Sequence, residues 1–329
     1  MKTKFKKIII TGSAGFIGYH LSTKLAKSGF EVFGIDNLNS YYDISLKKSR
    51  LKTLSQIKNY KHYIVDIRNF YKLNKLIKLI QPEYVIHLAA QAGVRYSITN
   101  PDEYIDNNLN GFYNILECSK NIKVKRFIYA SSSSVYGSLN KKKFSEDSNT
   151  DNPKSLYAAT KKSNELISTS YQNIFDVNCT GLRFFTVYGP FGRPDMALFK
   201  FTNNILNNQR IEVYNYGNHY RDFTYIDDIV DGIYKLLGKS ISSKNVSKLN
   251  KIYNLGNGNP QKLSKYIEVI EKNLLKKAKI KFMKMQLGDV PRTSADITMA
   301  QKDFGYKPIT SIYDGIPKFI KWYKSYYEI

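Results

Sequence analysis

The chain has 329 residues, enough to bury a sizeable core either as two modest domains or as one domain with a large appendage. Hydrophobic residues make up 42% and aromatic residues 14%, which excludes a disordered chain and describes a packed globule. Lys+Arg number 51 against 27 Asp+Glu, a formal +24 that would attract nucleic acid, anionic lipid or a diphosphate metabolite alike. The lysines are dispersed, however, and runs such as Lys141–Lys143 accompany no nucleic-acid-reading module, so no nucleic-acid partner is expected.

The apolar run at the N-terminus stops at Thr11 and Gly12, too early for a signal sequence, and reads as a first strand, Lys7–Thr11. A helix over Phe16–Lys27 follows, then strands at Glu31–Ile35 and His62–Val65, a helix at Asn69–Ile80 and a strand at Tyr84–Leu88. Further on come a helix at Asp102–Lys120, a strand at Phe127–Ala130, a helix at Leu156–Tyr171 and a strand at Val177–Leu182. This alternation predicts an α/β fold of Rossmann type, a doubly wound parallel sheet with crossover helices.

After about Arg183 the rhythm changes to loops punctuated by Gly and Pro, a helix near Ala197–Asn207 and short strands near Ile211–Tyr214 and Asp222–Tyr225. The expected division is a Rossmann-type domain over 1–183, with 225–250 packing back on it. Residues 184–224 and 251–329 then form a smaller C-terminal α/β substrate lobe. Gly238–Lys251, rich in Ser, Lys and Asn, reads as a surface loop, and Pro260, Pro291 and Pro308 mark element boundaries. No stretch approaches the roughly 20 apolar residues of a membrane span, so no membrane partner is expected. Cys118 and Cys179 lie in apolar runs without metal-ligand or disulfide spacing, which suits buried thiols in a reducing cytoplasm and no metal site.

Strand, glycine turn and helix follow one another at Lys7–Thr11 and Gly12-Ser13-Ala14-Gly15-Phe16-Ile17-Gly18. Glycines there allow a tight turn and let a pyrophosphate approach the amides of a helix N-terminus. The spacing is GxxGxxG, weak alone. Asp36 at the end of the second strand adds a carboxylate that can accept hydrogen bonds from an adenosine ribose and repels a 2′-phosphate. With no arginine at Asn37 or Leu38, NAD is favoured over NADP. The remaining cofactor contacts are expected at Asp66 and Ile67 after the third strand, and at Leu88, Ala89 and Ala90 at the end of the fourth.

Tyr157 and Lys161 stand one helical turn apart and so share a face. A phenol of ordinary pKa near 10 becomes a base at neutral pH only beside a cation, and an ammonium four residues on could supply one. With 27 tyrosines in the chain the pair alone means little. Ser131-Ser132-Ser133-Ser134 at the end of the fifth strand, the ligand-binding edge of such sheets, supplies the context: a hydroxyl there could share a proton with Tyr157.

Together these residues resemble the extended short-chain dehydrogenase/reductases, specifically nucleotide-sugar epimerases similar to UDP-glucose 4-epimerase, from Thr11 to about Gly305. Asn39-Ser40-Tyr41-Tyr42-Asp43, Gln91-Ala92-Gly93-Val94-Arg95-Tyr96-Ser97 and Gly189-Pro190-Phe191-Gly192-Arg193-Pro194-Asp195-Met196-Ala197 look closest to UDP-glucuronate 4-epimerases. The resemblance implies an NAD-dependent isomerase acting on a UDP-sugar through a 4-keto intermediate, in the cytoplasm, as a homodimer built on the helices Asp102–Lys120 and Leu156–Tyr171. Its product would suit polysaccharide biosynthesis.

By the same resemblance Ser132, Tyr157 and Lys161 are catalytic, Ser133 and Ser134 face substrate, and Asn107 and Phe185 lie on the cofactor side. Thr186 and Arg221, with the segment Arg221-Asp222-Phe223-Thr224-Tyr225, match positions that bind the UDP diphosphate. Arg193 is the candidate for a sugar carboxylate, since a guanidinium fork pairs two oxygens at once. Related 4,6-dehydratases carry an Asp-Glu pair where Ser133 and Ser134 stand, and UDP-glucuronate decarboxylases carry Glu at Ser134, so neither elimination nor decarboxylation is expected. Arg292 departs from the small residue frequent in relatives. The readings left open are a 4-epimerase of neutral UDP-hexoses (UDP-glucose or UDP-N-acetylglucosamine), less so a decarboxylase, and in a different class a non-catalytic NAD- or nucleic-acid-binding module.

Overall fold

The structure is a computed structural model that describes residues 6–139, 141–242 and 250–329. Six strands arise in chain order, β1 (Lys7–Thr11), β2 (Glu31–Asp36), β3 (Tyr60–Ile64), β4 (Tyr84–His87), β5 (Arg126–Ser132) and β6 (Cys179–Phe184). With Ile252–Leu255 they make a seven-stranded parallel sheet, ordered Ile252–Leu255, β6, β5, β4, β1, β2, β3. Alternation along β1 sends Ile8 and Ile10 into the core on one face and Ile9 into the core on the other, as a sheet covered on both sides requires. The chain leaves β1 toward β2 on one side and reaches β4 on the other, which opens a crevice beyond the ends of β1 and β4.

Helix α1 (Phe16–Lys27) matches its sequence reading, while α2 (Ile44–Ser55) was missed. The buried positions of α2 are Leu46, Lys47, Arg50 and Leu54, so half of its inward face is charged and the apolar period is lost. The legible signal was its cap: Asp43 accepts a hydrogen bond from the Ser45 amide at 2.8 Å. The helix expected over 102–120 is three pieces, Pro101–Tyr104, a π-helical stretch Ile105–Asn110 and Gly111–Asn121. The widened turn brings Asn108 inward, where its side chain bonds Gln91 and Thr160.

Two further assignments need correction. Ile252–Leu255, placed by sequence in the substrate lobe, pairs with β6 as the outermost strand of the main sheet, because Tyr253 and Leu255 are fully buried there. Residues 238–242 of the expected surface loop continue the helix Ile226–Ser242, which packs against α1; 243–249 lie outside the described residues. The remainder is built from short strand pairs, such as Thr186–Tyr188 with Phe223–Tyr225 and Arg210–Val213 with Lys279–Phe282, and from helices including Ala197–Leu206, Leu263–Leu274 and Ile312–Tyr327. Among the described residues no helix is long and apolar enough to cross a membrane.

Candidate active site

The turn after β1 can be made only by glycines at its contact points. Gly12 has φ +70°, and a Cβ on it would lie 2.8 Å from the Ala89 nitrogen; one on Gly18 would lie 2.0 Å from the Gly12 oxygen. The turn is fastened to β2 by the Gly12 amide, which donates to the Ile35 carbonyl at 2.7 Å. Asp36 is oriented at the end of β2, its two oxygens accepting from the amides of Ala14 at 3.1 Å and Leu38 at 2.9 Å.

Beyond these strand ends lies an open cleft enclosing about 1130 Å³, solvent at its mouth included. It gathers Gly12, Gly15, Phe16, Ile17, Gly18, Leu88, Ala89, Ala90, Ser132, Tyr157, Lys161, Phe185 and Arg193, residues that sequence placed at or after the ends of four strands, on two helices and in a distant loop. A side recess of about 400 Å³ holds Asp36, Ile67 and Asn107. Asp66 stands outside both, gripped by Arg68 and Asn37, while Ser133 and Ser134 begin the short helical turn after β5. Sequence reading missed Asn39, Tyr41, Tyr42, Lys47, Gln91 and Met196 as lining residues, although all except Lys47 sit in the motifs it singled out.

Ser132 ends β5, and its hydroxyl accepts from the Ser134 amide at 3.1 Å. Tyr157 is half-buried beside it. Burial raises the Tyr157 pKa, and the Ser132 hydroxyl and the Arg193 charge oppose that rise. Lys161, expected to act on this phenol, instead donates to the Ala130 carbonyl at 3.1 Å, and burial pushes its pKa down to about 8. Arg193 is one positive charge that lowers the Tyr157 pKa.

Behind the cleft the helix Leu156–Phe175 is tied to the sheet by a fully buried ion pair, Glu165 with Arg183, joined at 2.8 Å through both oxygens. Glu165 also accepts from Ser131 at 2.6 Å, so the strand end carrying Ser132 and the helix carrying Tyr157 move as one body. Glu165 lies four residues past Lys161 on the same helix face, a spacing that could have marked it in sequence.

Arg193 is 23% exposed, and its Nε and Nη2 donate to Asp195 at 3.0 and 2.5 Å, leaving Nη1 free of that pair. Tyr41 donates to the same carboxylate at 3.2 Å, and burial together with the Asp195 charge pushes its phenol up to about 12. Arg221 and Arg95 face the two oxygens of Asp289 at 3.5 and 3.6 Å, an excess of positive charge outside the cleft. In the segment 221–225 Asp222 accepts from the amides of Asn257, Gly258 and Ala295 and from Thr224, and the Thr186 amide donates to the Asp222 carbonyl, so this carboxylate serves the fold.

A short-chain dehydrogenase/reductase of the extended type is what this sheet and this cleft define. A family model described as GDP-mannose 4,6 dehydratase matches residues 9–319, and the chain belongs to that family of nucleotide-sugar epimerases and dehydratases. Protein CapI of Staphylococcus aureus is 51% identical, the match covering 98% of this chain and 99% of that one. UDP-glucuronate 4-epimerase 4 of Arabidopsis thaliana is 46% identical over 98% of this chain and 76% of its own. Among solved structures, UDP-glucuronic acid 4-epimerase from Bacillus cereus, crystallised with UDP-glucuronic acid and NAD, is 34% identical with a TM-score of 0.90, covering 98% of this chain and 100% of that one.

Proposed function

We propose that the protein is an NAD-dependent UDP-glucuronate 4-epimerase that interconverts UDP-glucuronate and UDP-galacturonate; its plant and Bacillus relatives are named as UDP-glucuronate 4-epimerases, and the Bacillus one is crystallised with NAD. The observation that carries the uronate is Arg193, a guanidinium in the same cleft as Tyr157 with one nitrogen left over from its pair with Asp195. The glycine contacts at Gly12 and Gly18 and the fixed carboxylate of Asp36 fit a dinucleotide, its pyrophosphate at the start of α1 and its adenosine in the side recess. Held there by the Gly12–Gly18 turn and Asp36, a nicotinamide dinucleotide would supply reversible hydride chemistry at C4 of the sugar.

Tyr157 takes the proton of the 4-hydroxyl as the ketone forms and gives it back to the same oxygen after the sugar has turned about its diphosphate link. Ser132 holds that oxygen, and Glu165 keeps Ser131 and Tyr157 in register through the buried pair. No carboxylic acid stands at Ser133 or Ser134 to protonate a leaving group or assist the loss of carbon dioxide, so the ketone is simply reduced again. The ketone of a uronate is a β-keto acid, which sheds carbon dioxide once its carboxylate turns perpendicular to the carbonyl. Arg193 holds the carboxylate out of that orientation.

Arg193→Met is expected to lower kcat/KM for UDP-glucuronate about 10- to 100-fold, the loss of a charge-assisted pair, and to raise the pentose fraction of the product. Resolving products without added NAD⁺ from UDP-glucuronate, UDP-glucose and UDP-N-acetylglucosamine is the test. Unchanged kinetics in the variant, or galacto-products from the neutral sugars alone, would discard the uronate.

The working unit is a homodimer. Ile105, Tyr113, Leu166, Ile174 and Phe175, all exposed on the helical stretches 105–121 and 156–175, supply the apolar faces of a four-helix contact. Sedimentation should give a dimer for the native chain and a monomer for Leu166→Glu; a monomeric native chain ends this reading. The reaction takes place in the cytoplasm, where the buried free thiols Cys118 and Cys179 stay reduced, and finding the native protein outside it by fractionation would count against this.

A further inference from the structure

Helix α2 buries a guanidinium without an acid to neutralise it. Arg50 is 0% exposed, and among the described residues no carboxylate pairs with it. Taking an ion out of water without a counter-charge costs several kcal/mol, so a residue of this kind needs partners that use its geometry. Its partners come from three separate segments. Nη1 donates to the Ala14 carbonyl in the glycine turn at 2.8 Å and to the Tyr42 hydroxyl at 2.7 Å, and Nη2 donates to the Phe191 carbonyl at 2.6 Å. A planar fork can span such acceptors, whereas a lysine ammonium on its flexible stem cannot reach them all.

Phe191 lies in the loop that ends on Arg193, and that loop is strained. Gly189 has φ +147° and Phe191, a bulky residue, has φ +57°. Such conformations persist only where the surroundings dictate them. Here His20 Nε2 donates to the Pro190 carbonyl at 2.8 Å, and the Phe191 ring is held between Tyr19 at 4.8 Å and Trp322 at 4.9 Å. Burial pushes the His20 pKa down to about 4, so its contact is made by a neutral imidazole, whereas Arg50 brings a charged donor to the Phe191 carbonyl.

We propose that Arg50 is a positioning residue that bolts the 189–193 loop to the cofactor's glycine turn and thereby fixes where Arg193 meets the sugar. The inference rests on reading Arg193 as the partner of the substrate carboxylate. One buried side chain then joins the two halves of the site, so the place of the uronate is set by the same guanidinium that braces the turn under the pyrophosphate.

The experiment titrates the full-length protein, saturated with NAD⁺, with UDP-glucuronate and separately with UDP, and compares the ratio of the two apparent affinities in the wild type, R50M, R193M and the double variant. R193M should cut that ratio about 10-fold and R50M about 5- to 10-fold with the affinity for UDP unchanged, while the double variant should match R193M. A wild-type ratio in R50M, or losses that simply add in the double variant, would overturn the role of Arg50 and leave that of Arg193 standing. A wild-type ratio in R193M would overturn both. If R50M does not fold, R50K is titrated in its place: a smaller loss that again vanishes in the R193M background supports the role, and a wild-type ratio refutes it.

Discussion

Tyr157→Phe is expected to lower epimerisation about 10³-fold or more while leaving UDP-glucuronate binding within a few-fold of the native protein. The cleft offers no substitute base. Its other ionisable groups are Tyr41, Tyr42, Lys47, Lys161 and Arg193. Tyr41 is pushed up to about 12 and donates to Asp195, and Lys47 spends its ammonium on two oxygens of Asn39. Lys161, at about 8, is mostly charged at neutral pH and faces the Ala130 carbonyl. The substitution removes one hydroxyl and fills the same space, so the unfolding free energy should change by no more than the loss of one hydrogen bond, about 1 kcal/mol. Burial raises the Tyr157 pKa, so native kcat/KM should climb toward alkaline pH as the phenolate becomes accessible, and the variant should lose that climb. Residual activity within tenfold of native, with the same pH profile, would remove Tyr157 from the reaction.

What could be read from the residues alone was whatever is encoded locally. The run Ile8–Ile10, the glycines at 12, 15 and 18 and the apolar period of Phe16–Lys27 each specify their own piece of β1, turn and α1, and their spacing matches the folded chain. α2 was illegible because Lys47 and Arg50 occupy positions where a core helix normally carries leucine, and their partners lie in segments far away in sequence. The π-helical stretch was illegible for a similar reason: its register is chosen by Asn108 bonding Gln91 and Thr160, contacts that exist only after the sheet has formed. Of the cleft, Tyr157 and Arg193 were legible as candidates, but not what holds them. Asp195 is two residues from Arg193 in sequence, yet its bidentate grip depends on the turn of the loop, and Glu165 meets Arg183 only when helix and β6 pack.

Lys161→Met should stabilise the folded protein at pH 7 while lowering turnover if, as the family resemblance implies, the buried ammonium serves the reaction, a trade expected where a site buries a charge for function. In the folded chain burial lowers the Lys161 pKa from 10.5 to about 8. Below pH 8 folded and unfolded chains both carry the proton, and the folded state bears the whole cost of an ammonium that is 2% exposed. Between about 8 and 10.5 the unfolded chain keeps a proton that the folded one has released, so native stability rises with pH through that window and then levels off. A shift of this size corresponds to about 3 kcal/mol, from which the lost bond to the Ala130 carbonyl subtracts about 1. Methionine keeps the length and packing of the side chain without the charge, so urea unfolding at matched NAD occupancy should show a gain of about 2 kcal/mol at pH 7 and a smaller alkaline rise, the remainder belonging to Lys47, which burial also lowers. A variant less stable than native at pH 7, with the alkaline rise intact, would mean that something other than Lys161 titrates there and that its ammonium is well satisfied by its surroundings.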